Sequence, residues 1–580
     1  MKTYVTHHLK KSIIMTLGLL VCALHQPAMA LSLGYLNTVT NLDLSTSSLT
    51  GTVFTVCSTN STMTNTVLIG VGQELRINGN VSVGTNVNNS STLVTLTGPG
   101  SFIVNTNGGK FYVGGATASN TGNGAVVNMA GLGVFNANLG TSGVFRIGTQ
   151  YTGTAGSATP IPPPIAYLAT NSTITANILQ MGNNTDSGTA TLKLGAGENV
   201  LNANTITLAN GRASGNMSFN TDSGTVKIRG TGGTDSDRAT VNICAGLSGG
   251  VNSSASLIFS DHEADLLFDV VTMATFGIST SKSGDNTAAF SFSQGTLNIN
   301  SILMGRLTGN SGSVRTVTAS MNLQGGAVTV SNAIVMARND VIAADTSAHT
   351  ASATLTVSGS AKVSVFNRSA PSAPALELAG MTNLASSATR ANGTLNITNG
   401  GILAVYGNIV DGGNSTAGGL ATTTINLNSG ALLMPNHAIV NVDNFTMTNA
   451  TLAVGVYAGL PVLANRGTGI LAPGGTNVVG STIISNSYVQ VSPATLDIDL
   501  VSKLSYDRVT VTGGVTLEGS IYVRAPADLS GEFDIVTSDT AITDTTVLTG
   551  ASTGFTKTLV NDNKTLRLFK APPGTLVSFL

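Results

Sequence analysis

Residues 393–413 read GTLNITNGGILAVYGNIVDGG. Leu395 and Ile397 alternate with Asn396 and Thr398, and successive strand side chains face opposite sides of the backbone, so this is a strand with one dry face and one wet face. Gly400-Gly401 is expected to supply the positive-φ positions of a tight turn, after which Leu403 and Val405 resume the alternation and Ile409 begins a third apolar touch. Nothing in the stretch has helical spacing.

The rest of the chain is written in the same style. It has 580 residues, 68 of them Gly, with 42% hydrophobic and only 9% charged residues, against roughly 25% charge in an ordinary soluble domain. That excludes charge-driven disorder and points to an all-β chain punctuated by Asn, Ser and Gly. Residues 1–30 read as a signal peptide: Lys2, Lys10 and Lys11 flank an apolar run from Ile13 to Leu24, and Ala28-Met29-Ala30 offers a cleavage site. The run is shorter than the roughly 20 residues a membrane span needs, and Val21 stands where a lipid-acceptor sequence at Cys22 would carry a small residue. The mature chain is therefore expected to be secreted or displayed at the cell surface, with no membrane-spanning segment. Removing three of 26 basic residues leaves 23 against 27 acidic ones, a net of −4, so no polybasic surface exists for nucleic acid. Cys57 and Cys244 remain; export permits a disulfide between them, yet two cysteines in so long a chain are more often simply buried small side chains.

Internal repeats decide the architecture. GTLNITNGGILAVYGNIV at 393–410 aligns with SMNLQGGAVTVSNAIV at 320–335, matching Leu395 to Met321, Ile397 to Leu323, Val405 to Val330 and Ile409 to Ile334. TINLNSGALLMPNHAIV at 424–440 repeats it without a gap, and further copies start at Leu355, Leu297 and, more distantly, Leu192. From Leu297 through Met321, Leu355 and Leu395 to Ile425 the steps are 24, 34, 40 and 30, too irregular for propeller blades or leucine-rich repeats. A coil with variable corner loops tolerates them. The expected fold is an elongated parallel β-helix, a solenoid whose turns stack about 4.8 Å apart into a rod on the order of 100 Å; the alternative is a row of antiparallel β-sandwich modules. Four regions follow: the signal peptide (1–30), an N-terminal β-repeat region (31–166) closed by IPPPIA, central repeats (167–460), and a C-terminal region (461–580) of different character.

That last region carries GTGILAPGG, TLDIDL, SYDRVTVTGGVTLEGSIYV and GEFDIV. With the repeat units before it, it resembles the bacterial exported proteins that carry autotransporter-associated β-strand repeats, and the resemblance covers most of the mature chain. It implies a parallel β-helix stalk exposed on a Gram-negative cell surface. One departure stands out: only about 45 residues follow GEFDIV, too few for the membrane β-barrel that ends an autotransporter.

No chemistry is singled out strongly. SDHEADLLFDV gathers Asp261, His262, Glu263, Asp265 and Asp269, which suits a Ca²⁺ cluster or a glycan-cleaving acid/base pair but reads more simply as a solvated loop before a strand over Leu266–Val270. GGTDSD spaces Asp235 and Asp237 as in calcium-binding turns, in a single copy. Asp497 and Asp499 share one strand face, expected to be the solvent side, with Asp507 and Arg508 as further surface charge. Ser248 in GLSGG matches a nucleophile elbow, without the strand–turn–helix setting that motif requires. His262, His349 and His437 are too far apart in sequence to share a metal. We therefore expect no catalytic, cofactor or metal residues and no cofactor. The expected function is that of an exported, non-enzymatic surface or matrix protein with adhesive contacts to extracellular glycans or other surface proteins, and with self-association through strand edges. The alternative is a β-helical polysaccharide lyase or glycoside hydrolase, in which Asp261 or Glu263 would meet Lys282 or Arg306.

Overall fold

The computed structural model describes residues 30–33 and 41–572, apart from 57–62, 85–90, 115–123, 149–162, 183–188, 211–212, 247–251, 280–283, 311–313, 342–346, 382–386, 417 and 551–553. Those residues form 48 strands and no helix, so the all-β expectation holds. Among them no helix is long and apolar enough to cross a membrane. The segment 1–29, with Cys22, lies outside the described residues, as do Cys57, Ser248 and Lys282.

Most strands pair not with their neighbour in sequence but with a strand two to four further along. Thr350–Val357 pairs in parallel with Arg390–Thr398, Lys362–Phe366 with Ile402–Tyr406, and Leu376–Glu377 with Ile409–Val410. Three parallel ladders thus advance together along the chain. In the second ladder one inward column runs through Ile77, Val104, Ala137, Ile174, Leu201, Ile228, Leu266, Leu297, Val328, Val363, Leu403, Leu432, Leu452, Leu471, Leu496, Ile521 and Leu548. Every member is apolar, and all but the half-buried Leu548 are fully buried. Burying each such side chain is worth about 1.5–3 kcal/mol. Parallel sheets need apolar cover, and here the inward faces supply it to one another as a single contiguous core.

The column runs on through positions 166/167 and 460/461, where the sequence changes character. Pro163 and Pro164 precede the strand Ile165–Tyr167, which pairs with Gly124–Asn128 on one side and Thr189–Leu194 on the other. The prolines sit outside the ladder, where their missing N–H costs nothing. Toward the N-terminal end the interior is aromatic, with Phe111 stacked on Phe145 at 4.6 Å. At the opposite end the pairing changes hand: Thr565–Lys570 runs antiparallel to both Gly531–Ser538 and Thr556–Val560, burying Phe533, Leu566 and Leu568. This closing hairpin covers one edge that the parallel ladder would leave open.

Two local expectations are corrected. Leu297 does not stack with Met321; Met321 sits on Phe290, and Leu297 sits under Val328. The first-ladder column is therefore Phe290, Met321, Leu355, Leu395, Ile425 and Phe445, while Leu297 lies further along the same strand, Gly284–Asn310, in the second ladder. Its true sequence signal is SFSQGTL at 291–297, whose Gln-Gly corner matches Gln-Gly-Gly at 324–326. In the turn after Ile397, the positive φ values fall on Asn399 (51°) and Gly400 (89°). Gly401 is needed for a different reason: a Cβ there would lie 2.5 Å from the Val357 carbonyl of the adjacent turn.

Candidate functional site

The acidic run at 260–270 is not a loop. It lies within the strand Ser253–Ser279, which bends at Asp261, where φ is +64° and the register shifts between Phe259 and Glu263. The bend sends its side chains to different partners. Asp261 and Glu263 are exposed. His262 stacks on Phe219 with ring centroids 3.8 Å apart, its Nδ1 2.8 Å from the Ser260 carbonyl and its Nε2 2.8 Å from the Thr221 carbonyl. Asp265 accepts hydrogen bonds from Arg229 (2.6 Å) and Thr296 (2.9 Å), and Asp269 accepts one from Asn300 (2.7 Å). Arg306 donates to Asp340 at 2.9 Å, in the third ladder, whereas Glu263 pairs with Gln294 in the second.

The turn at 232–237 is held from within. Asp235 pairs with Arg229 (3.1 Å) and Lys227 (3.2 Å), and those two cations hold its carboxyl below the usual range. Asp237 accepts the Gly232 N–H. His349 is buried, and His437 is half-buried on a different turn. Among the described residues no three His, Cys, Asp or Glu side chains converge as a metal site. Cys244 is a free buried thiol donating to the Ser253 carbonyl, and burial pushes its pKa up to about 12.

The densest ionisable constellation lies where surface charge was expected. Asp497, Asp499 and Asp507 are 4%, 5% and 1% exposed. The chain reverses beside them: Leu500 bridges antiparallel to Tyr506, which brings Asp507 back against Asp499 and Gly480. Arg524, in register with Asp499 on the following strand, forms a bidentate pair with Asp497 (2.6 and 2.7 Å) and reaches Asp499 at 3.4 Å. Burial opposes its charge, yet Asp497 and Asp499 together raise the guanidinium pKa. Asp507 accepts the backbone N–H groups of Gly480 (2.6 Å) and Asp499 (2.8 Å). Burial dominates there, and with Asp499 and Asp497 nearby it lifts Asp507 to about 7. Asp499 Oδ2 is buried without a hydrogen-bond donor. Arg508 is the one residue of the group on the surface, stacked over Tyr506 at 4.4 Å. Sequence reading missed Arg524, although aligning TLDID with SIYVR as successive turns places it beside Asp499.

The outer faces elsewhere carry polar ladders. Thr356, Asn396, Asn426 and Thr446 form one outward column, linked by Asn396 to Thr356 (3.5 Å), Asn426 to Asn396 (2.9 Å) and Thr446 to Asn426 (3.0 Å). Such a column repeats one hydrogen-bonding pattern turn after turn and brings no nucleophile together with a base. No protein-family model matches the chain, and no curated protein matches it in sequence.

Proposed function

We propose that the chain is an exported, non-enzymatic structural protein of the cell surface or extracellular matrix, built as a parallel β-helix whose outer faces make repeated adhesive contacts. In this reading the three ladders are the three sides of one coil. The observation that carries it is the seventeen-residue apolar column from Ile77 to Leu548. Its 16 steps of about 4.8 Å give a rod roughly 77 Å long. The column spans 471 positions, so each turn uses about 29 residues, and the loops that leave through the corners shorten the rod for a given chain length.

The dispersal of polar chemistry supports the same reading. Asp265, Asp269, Arg306 and Arg338 are each engaged between successive turns, which stiffens the coil. Contacts spread over many equivalent turns gain strength by multiplicity rather than from one pocket. The resemblance to autotransporter-associated repeat proteins fits a stalk of this kind. Fractionation of the producing cells with protease shaving of intact cells tests the proposal: the chain should lie outside the cytoplasm, lack residues 1–30 and be accessible to protease. A cytoplasmic, uncleaved chain would overturn it, as would cleavage of polysaccharides lost on Asp261→Asn or Glu263→Gln.

A further inference from the structure

We propose that the buried group of Asp497, Asp499, Asp507 and Arg524 is a proton-controlled latch, which takes up one proton and thereby holds the segment 473–508 against the final turns of the ladder. Three carboxyl groups and one guanidinium occupy this group, so full ionisation leaves two uncompensated negative charges out of water. Such charge is costly unless paired or neutralised. Asp499 Oδ2 marks the deficit, since it is buried and no donor reaches it. A bound proton removes one of the surplus charges, and the arrangement offers no competing cation site.

Among the described residues Arg524 is the cation paired with these carboxylates, and its guanidinium lies over the Tyr522 ring at 4.9 Å. The strand Thr495–Asp499 contributes Asp497 and Asp499, and the strand Ser520–Arg524 contributes Arg524. From the reversed turn come Asp507, with Tyr506 and Arg508 stacked on each other at its surface edge, and Lys503, which lies toward Gly531. The 473–480 loop contributes the Gly480 N–H and no ionisable side chain.

The cluster joins three pieces of chain. Asp507 ties Gly480 of the loop to Asp499 of the strand, its own N–H donates to the Asp499 carbonyl at 2.9 Å, and Arg508 donates to the Gly480 carbonyl at 3.1 Å. Losing the proton places repulsion at this junction. The rise of Asp507 to about 7 agrees with a group titrating near neutrality, and the apparent value belongs to the coupled set rather than to one residue. The sign follows from linkage. Between the ordinary carboxyl pKa of 3.8 and about 7, the folded chain holds a proton that the unfolded chain has released. Stability therefore falls as pH rises across that window and is level above it. An exported protein experiences the pH of its surroundings, so the latch would tighten in acid and loosen in alkali.

Hydrogen exchange of the whole protein from pH 5.5 to 8.5, corrected for intrinsic rates, tests this. Peptides spanning 473–508 should lose protection at least 10-fold at the alkaline end, while those spanning 390–428 stay unchanged. Asp507→Asn should abolish the difference, and Asp499→Asn, which removes one of the surplus charges, should do so without removing the Asp507 contacts. If Asp507→Asn does not fold, the wild-type profile and Asp499→Asn decide. Equal protection of 473–508 at both pH values in the wild type, or an undiminished pH response in Asp499→Asn, would overturn the proposal.

Discussion

Replacing Leu395 by Asp puts a carboxyl group into the middle of the first-ladder column. Leu395 is fully buried, with Leu355 on one side and Ile425 on the other. Truncating such a leucine to alanine costs about 2–5 kcal/mol through lost burial and the cavity left behind. A carboxyl group adds its own desolvation, because no donor replaces water between two aliphatic neighbours, and the total reaches at least ~5 kcal/mol. Asn396→Asp, one residue along and facing outward beside Asn426, removes a donor from a half-exposed ladder and should cost under ~1 kcal/mol. Urea unfolding followed by circular dichroism measures both. In the proposed coil each turn contacts only its neighbours, so limited proteolysis should cut Leu395→Asp first between about residues 355 and 425. A Leu395→Asp midpoint within error of the wild type, or equal losses for the two variants, would refute the inward assignment and the ladder register with it.

Arg524→Met should destabilise the C-terminal turns by about 3–5 kcal/mol, by leaving Asp497 and Asp499 without their cation, and urea titrations should find the loss larger at pH 8 than at pH 5. Gly393→Ala should destabilise by more than ~2 kcal/mol in the same assay, because its Cβ would lie 1.6 Å from the Leu378 carbonyl. Cys244, buried and with its pKa pushed to about 12, should resist iodoacetamide in the native protein and react in urea, as read by mass spectrometry.

Much of the ladder was legible in the sequence because alternation is a local property. Met321, Leu355, Leu395 and Ile425 share a column as their repeats predicted, and so do Ile334, Ile409 and Ile439. Leu297 was misplaced because TLNI imitates the first-ladder segment while occupying the second; the first-ladder part of the same strand, FSF, carries two Phe where the next two repeats carry Met321 with Leu323 and Leu355 with Val357. The buried carboxyls were misread for a different reason. Alternation separates two faces of a strand but cannot tell whether something meets the outer one, and here Arg524 and the returning Asp507 meet it. Charge pairing across turns was equally hidden: Asp499 and Arg524 are 25 residues apart and meet only once the register is known.

The central claim is that one continuous ladder carries the chain from its central repeats to its C-terminal region. Lys362 and Val547 face outward in the same column, reached through Ile402, Ala431, Thr451, Ile470, Thr495 and Ser520. Seven steps of about 4.8 Å place them roughly 34 Å apart despite a separation of 185 positions in sequence. Spin labels at Lys362→Cys and Val547→Cys, with Cys57 and Cys244 changed to Ser, allow that distance to be measured by pulsed electron paramagnetic resonance. A single narrow distribution near 34 Å, widened only by the label arms, is the predicted result; a broad distribution, or one centred well beyond 50 Å as separately tethered modules would give, would contradict it.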